Sequence, residues 1–336
     1  MRRPSTARLR AALGITVVAV ASAGCGATVE PVAIPDGAPA PRQVTVVNCG
    51  REVTYDKVPE HAVVYDVGMS EMMFSLGLAP RTRGWVANKV YGGIETSAYR
   101  ADFDRVDRLG DSRISLEIVL NAKADWVFAG NNQGFVESRG ITPAILATHG
   151  VASYVLTETC ANTADSAGAM DPVDGVYTDY RNLGRIFDVA DRAEQTIADL
   201  QRRLAAASAG KPATPARVLV SDVYEDKPYV AGAASIATAI VEQAGGRNVT
   251  EDITRTWDSV GWETVVAADP EVIVIVDYGV PYEEKKKALM NTPSMRNVTA
   301  VREGRIFRLE FADVMAGPRV ATSAEKLAAY LRSVGK

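Results

Sequence analysis

Residues 174 to 209, DGVYTDYRNLGRIFDVADRAEQTIADLQRRLAAASA, form the longest helical pattern in the chain. Leu183, Phe187, Ala190, Ile197, Leu200 and Leu204 recur at helical spacing and fall on one stripe. Arg192, Glu194, Gln195, Asp199, Arg202 and Arg203 take most of the other faces. Asp174 is placed to cap the start. Asp191 followed by Glu194 has capping-box spacing, which predicts two helices with a break near Asp188 to Asp191. A run from Ala190 to Ala207 is about 27 Å long at helical rise, enough to cross between two domains as a strut. An α/β pattern lies on each side. The stretch therefore divides the chain into two units, 44–173 and 210–336, joined by a connector over 174–209.

The first unit opens with QVTVVN and REVTYDKV, a small β-ribbon around Cys49-Gly50. HAVVYDVG reads as a buried strand, SEMMFSLGL as a helix capped by Ser70, and RTRGWVAN as the next strand. Residues 91 to 106 are polar and aromatic, a long loop facing ligand or solvent. SLEIVLNAK is a helix capped by Ser115, ADWVFAG a strand, 141–149 a helix and ASYVLT a final strand. The second unit repeats the alternation. RVLVSDVYEDKPYVAG is a strand pair, SIATAIVEQAGG a helix capped by Ser235, WETVVAADP a short helix, and EVIVIVDY the most apolar strand. GRIFRLE and RVATSAEKLAAYLRSV close the chain as strand and helix. Strand–helix alternation predicts α/β lobes, each a mostly parallel sheet flanked by helices. SLEIVLNAKADWVFAG in the first half echoes GWETVVAADPEVIVIVD in the second. Two such lobes on one long α-helix leave a cleft between them, where ligands bind.

The net charge of -4 and the lack of a long basic block give no footprint for nucleic acid. Two His and three Cys are too few for a His/Cys metal cluster, so no protein metal site is expected. Arg2, Arg3, Arg8 and Arg10 precede the apolar run 11–23, which has signal-peptide length. Gly24-Cys25 then reads as a lipobox, with Ser22 in place of the usual aliphatic residue. Residues 1–25 are thus expected to be a lipoprotein signal with Cys25 as the lipidated residue; a plain secretory signal is the alternative. Residues 26–43 are rich in Pro, Ala and Gly and read as a flexible tether. These features predict an extracytoplasmic chain anchored to the cell membrane. In that oxidising setting Cys49 and Cys160 are expected to form a disulfide. Two free thiols binding a soft metal are the alternative.

From residue 44 to 334 the chain resembles the extracytoplasmic substrate-binding proteins of ABC importers for iron complexes and cobalamin. The opening VVNCGREVTYDKVPEHAVVYDVGMSEMMFSLGLAPRTRGW is similar to that family's entry into its first lobe. WDSVGWETVVAADPEVIVIVD resembles its second-lobe signature, and EGRIFRLEFADVMAGPRVATSAEKLAAYL its closing strand and helix. Glu60-His61 stands where the family commonly has Glu-Arg. The resemblance implies that Glu71 and Glu263 are exposed docking carboxylates, one per lobe, for a permease dimer served by an ATPase. Charge complementarity would steer that encounter.

The expected ligand is a small-molecule iron chelate, an iron(III)-siderophore, with iron entering only as part of the ligand and no cofactor. Cleft candidates are Met69, Trp85, Tyr91 and Asn131 in lobe one, and Tyr224, Arg255, Trp257, Tyr278 and Arg319 in lobe two. Aromatics pack on large planar ligands, and Arg suits anionic oxygen donors. Cobalamin and haem are alternatives on the same fold. His61 and His149 sit at element edges, which disfavours haem capture by axial His. An extracytoplasmic hydrolase has less support: Gly68-Met69-Ser70-Glu71-Met72 starts like a nucleophile elbow but lacks its last Gly. The expectation is a monomeric binding protein, not an enzyme, whose lobes move through a few degrees to ~15°.

Overall fold

A computed structural model describes residues 42–163, 168–222 and 227–336. Cys25, the predicted signal, most of the tether and Tyr224 lie outside the described residues.

The first lobe opens with a hairpin of β1 (Val44–Asn48) and β2 (Arg51–Tyr55). Its two-residue loop, Cys49-Gly50, has positive φ at both positions, 47° and 72°, as a type I′ turn requires. The sheet is built from β3 (Ala62–Tyr65), β4 (Thr82–Val86), β5 (Arg108–Gly110), β6 (Trp126–Asn131), β7 (Gly134–Phe135) and β8 (Ala152–Val155), all parallel. Its order is β5-β4-β3-β6, with β7 and β8 sharing the far edge of β6. Four helices cover it: α1 (Val67–Ser75), α2 (Arg100–Arg105), α3 (Leu116–Asn121) and α4 (Pro143–Thr148). β3 is buried at every position, as its unbroken apolar run requires of a central parallel strand.

The connector is two helices, α5 (Pro172–Ile186) and α6 (Ala190–Ala207), with the break where the sequence predicts it. Asp188 lies between them at φ 60°, the left-handed conformation that terminates helices. A Cβ on Gly184 would stand 2.7 Å from the Ala193 Cβ, so a small residue lets α5 and α6 pack closely at the break. Asp171 caps α5, with Pro172 in the first turn, where Asp174 was expected. No side chain caps α6. α5 is bound to lobe one: Asn182 Nδ2 donates to Val47 O and to Tyr154 Oη. The buried Asp179 accepts from Tyr154 Oη. α6 is bound to lobe two through Arg203, which donates to Glu325 and Thr322.

The second lobe comprises β9 (Ala216–Asp222), β10 (Tyr229–Ala231), α7 (Ile236–Gln243), β11 (Gly246–Asn248), β12 (Trp257–Ser259), α8 (Trp262–Ala268), β13 (Val272–Asp277), α9 (Tyr282–Asn291), α10 (Thr299–Arg302), β14 (Ile306–Glu310) and α11 (Arg319–Ser333). Its order is β12-β10-β9-β13-β14, with β11 also on β9. β9, β11, β13 and β14 are parallel, while β10 runs antiparallel to β9 and β12. The echoed sequences are α3–β6 and α8–β13. In each lobe the echoed strand lies beside that lobe's first strand, β3 or β9.

One hydrophobic cluster runs through lobe one, both connector helices and the connector-facing side of lobe two. A second fills the other face of the lobe-two sheet. The disulfide Cys49–Cys160 ties the hairpin turn to the 3-10 turn Thr157–Asn162. No described helix is long and apolar enough to cross a membrane.

Candidate ligand-binding cleft

In each lobe the strand order reverses beside the first strand: between β3 and β6, and between β9 and β13. Ligands in open α/β sheets bind beyond the carboxyl ends of strands at such reversals. The two reversals face one cavity of about 180 Å³. Lobe one contributes Tyr65 and Asp66 after β3, and Asn132, Gln133 and Gly134 after β6. Lobe two contributes Asp222, Val276 and Tyr278 from β9 and β13, with Tyr229, Trp257 and Phe311.

Aromatic rings form much of the wall. Tyr91 stacks on Phe311 with centroids 4.1 Å apart and meets Tyr278 edge-on at 5.4 Å. This stack carries the 88–97 loop of lobe one onto lobe two, and Gly279 N donates to Val90 O beside it. Trp257 stacks on Tyr229 at 5.6 Å. Arg113 and Arg139 are exposed cavity residues with no ion pair among the described residues. Unpaired guanidinium groups suit anionic oxygen ligands.

Two carboxylates stand at the switch points. Asp222 is buried and paired with the equally buried Lys285, and it accepts from Tyr278 Oη. Lys285 Nζ also donates to Val276 O at 2.9 Å and lies 4.4 Å from the Tyr278 ring centroid. Asp66 is 2 % exposed and accepts from Val67 N at 2.7 Å. Burial pushes its carboxyl up to about 6, against the Val67 hydrogen bond. Its backbone, at φ 70° and ψ 161°, occupies a region almost reserved for glycine. Asp66, not Ser70, caps α1; Ser70 lies inside the helix and its Oγ donates back to Asp66 O.

Tyr91, Trp257 and Tyr278 line the cavity. The other described candidates do not. Met69 is fully buried in the core, because α1 starts three residues earlier than its sequence suggests and turns Met69 inward. Trp85 is core too, edge-on to Phe103, with its indole N–H bonded to Val106 O. Asn131 bonds to Thr159 beneath the hairpin, one residue short of the cavity. Arg255 is exposed outside the cavity wall.

The Glu71 expectation is corrected. Glu71 is 1 % exposed, accepts from Ser97 Oγ and is bound bidentately by Arg319. A side chain so enclosed has no surface to offer a permease. Arg319, expected in the cleft, is instead spent on this interlobe contact; it also donates to Thr96 Oγ1. Glu263 is exposed. The sequence reading missed Tyr65, Asp66, Gln133, Arg113, Asp222 and Phe311. Asp66 and Asp222 had a usable signal: each directly follows or ends its lobe's first strand.

The lobes also meet away from the cavity. Glu158, on the 3-10 turn of lobe one, accepts from Ile236 N at the start of α7. A Cβ on Gly68 would stand 2.9 Å from Ala316 O, so close approach of the lobes there requires glycine. Among the described residues, no group of three or more His, Cys, Asp or Glu can hold a metal ion.

The sequence profile described as Periplasmic binding protein matches residues 63–312. The chain belongs to this family. It is similar, at 24% identity over 280 residues, to a protein of Halobacterium salinarum named Cobalamin-binding protein, covering 82% of this chain and 70% of that one. It is 23% identical over 287 residues to YvrC of Bacillus subtilis, named an uncharacterized ABC transporter substrate-binding lipoprotein, covering 83% and 82%. Among solved structures, a periplasmic binding protein from Veillonella parvula aligns with TM-score 0.73 and 24% identity, covering 87% of this chain and 98% of that one. An ABC-type Fe3+-hydroxamate transport system structure from Saccharomonospora viridis aligns with TM-score 0.72 and 25% identity, covering 86% and 98%. Two of these relatives are named as binding proteins and two as parts of ABC transport systems, which fits a two-lobed receptor with a cavity at its lobe interface.

Proposed function

We propose that the protein captures an iron(III)-siderophore complex outside the membrane and delivers it to an ABC permease. The observation that carries this reading is the interlobe cavity, with its aromatic wall and the exposed Arg113 and Arg139, which make no ion pair among the described residues. Aromatic faces pack against the organic shell of a chelate, and the guanidinium groups match its anionic oxygens. At about 180 Å³ the cavity is smaller than the roughly 300–1,000 Å³ of ordinary ligand sites. The whole chelate therefore enters only when the Tyr91–Phe311 stack parts. The protein acts as a monomer, returns its ligand unchanged, and is held at the membrane through Cys25. Glu263 serves as the docking carboxylate of lobe two; Glu263→Ala should lower transport with no change in ligand affinity.

Cobalamin has a specific observation in its favour, the name of the Halobacterium relative. Haem would need a Tyr or Met315 from the cavity wall as its iron ligand. Trp257 faces the cavity, so its fluorescence reports occupancy. Titration against iron(III) hydroxamates, iron(III) catecholates, cobalamin and haem should show saturable quenching by an iron chelate. Quenching by cobalamin or haem alone would refute the siderophore reading.

A further inference from the structure

The two switch-point carboxylates have equivalent places in their lobes and unequal surroundings. Asp222 is answered from within the chain. The Lys285 ammonium is held there by the Asp222 carboxylate, the Val276 carbonyl and the Tyr278 ring face. Asp66 has no such answer. One of its oxygens caps Val67 N, and the other has no partner among the described residues. Buried carboxylates are ordinarily paired, because an unpaired one bears its full desolvation cost.

As at Asp222, an acceptor and aromatic rings lie beside it, while the cavity's cations, Arg113 and Arg139, are exposed and make no ion pair with it. Gln133 Oε1 is a buried acceptor on the same cavity wall and has no hydrogen-bond donor among the described residues. The rings of Tyr65, Tyr91 and Phe311 line the same space. A carboxylate, an amide carbonyl and aromatic faces together select an ammonium group. The backbone at Asp66 supports a role for its side chain. Glycine would sit there without strain, and strain of this kind collects at ligand-contacting positions.

We propose that Asp66 contacts the ligand directly, and that the cargo presents a protonated amine on a short arm to Asp66 and Gln133. The cavity accommodates such an arm while the body of the ligand lies toward Arg113 and Arg139 at the exposed end. The inference deepens the siderophore reading and rests on it: the cargo class becomes iron chelates bearing a free amine.

The test uses two iron(III) complexes of one linear trihydroxamate, one with a free terminal amine and one with that amine acetylated. Affinities come from Trp257 quenching and calorimetry at neutral pH. The wild-type protein should bind the free-amine complex about 10- to 100-fold more tightly, the range of one charge-assisted hydrogen bond. Asp66→Asn keeps a capping side chain that tolerates positive φ. It should bind both complexes alike, at the level the wild type shows for the acetylated one. Equal wild-type affinities for the two complexes would overturn the role of Asp66 and leave the siderophore reading standing. A preference kept by Asp66→Asn would do the same. Binding of neither complex by the wild type would refute the hydroxamate-chelate class and the inference together. Equal wild-type affinities refute the role of Asp66 even if the variant fails to fold.

Discussion

The Glu71–Arg319 pair joins α1 of lobe one to the start of α11 in lobe two and is nearly closed to solvent. Arg319 donates to Glu71 from Nε at 2.9 Å and from Nη2 at 2.7 Å. Removing one partner of a buried pair costs about 3 to 5 kcal/mol, mostly for the charge left behind. The two removals are not equivalent here. Glu310 and Asp313 also lie 3.7 and 3.6 Å from Arg319. Glu71→Gln leaves the guanidinium with those two acids, and Ser97 keeps a partner. Its expected cost is about 2 to 3 kcal/mol. Arg319→Met strands Glu71 at 1 % exposure and leaves Asp313 with Lys326 as its one cation among the described residues. Its expected cost is about 4 to 5 kcal/mol. In the double variant no charge remains stranded at Glu71, so the two losses should fall short of additivity by about 2 kcal/mol or more. Urea unfolding of the four proteins measures all three quantities. Additive losses, or an Arg319→Met cost below about 1 kcal/mol as for an exposed pair, would refute the reasoning.

Two further outcomes are expected. Burial raises Asp66 to about 6 and Glu158 and Asp179 to about 7, against about 4 for unfolded carboxyls. The folded state then holds the extra protons, so the stability these groups contribute is full at low pH and lost as pH rises through about 6 to 7. Asp125, Asp269 and Glu271 are shifted downward and titrate below that window. The urea midpoint should therefore fall from about pH 5 to about pH 8, with Glu158→Gln flattening the slope; a midpoint that rises over this range would contradict the assignment. The Cys49–Cys160 bond closes a loop spanning 111 residues, and replacing both by Ala should cost about 4 to 5 kcal/mol on the chain-entropy model. Unfolding with and without reductant checks that, a loss below about 1 kcal/mol counting against it.

The sequence by itself determined the two α/β lobes, the connector and the disulfide partners. The lobes and the connector follow from local terms that need no partner: hydrophobic period, turn residues, and unbroken apolar runs such as VIVIV in β13; the disulfide partners follow from the cysteine count and the oxidising setting. The break near Asp188 was legible for the same reason, since an interrupted stripe and clustered Asp residues oppose a continuing helix. Short elements were not legible. β11, β12 and α10 have three or four residues each, too few to carry a period. α9 is longer, but its charged face hides its buried positions.

The site was decided by tertiary structure. Tyr91, Trp257 and Tyr278 could be named as aromatics near strand ends, but Trp85 has the same signature and lies in the core, as does Met69. Only packing separates a ring that faces a cavity from one that faces a helix. The failure at Glu71 has the same origin. An acid at a helix start reads as exposed until an arginine 248 positions later is found against it. The connector shows both sides of this division. Its helices and their break are written in residues 172 to 207. Its effect on the cleft depends on Arg203 meeting Glu325 and Asn182 meeting Val47, contacts between residues more than a hundred positions apart. Chain-local physics fixes which segments are helices and strands; which carboxylate meets a cation and which is left facing a cavity is fixed only when distant segments are brought together.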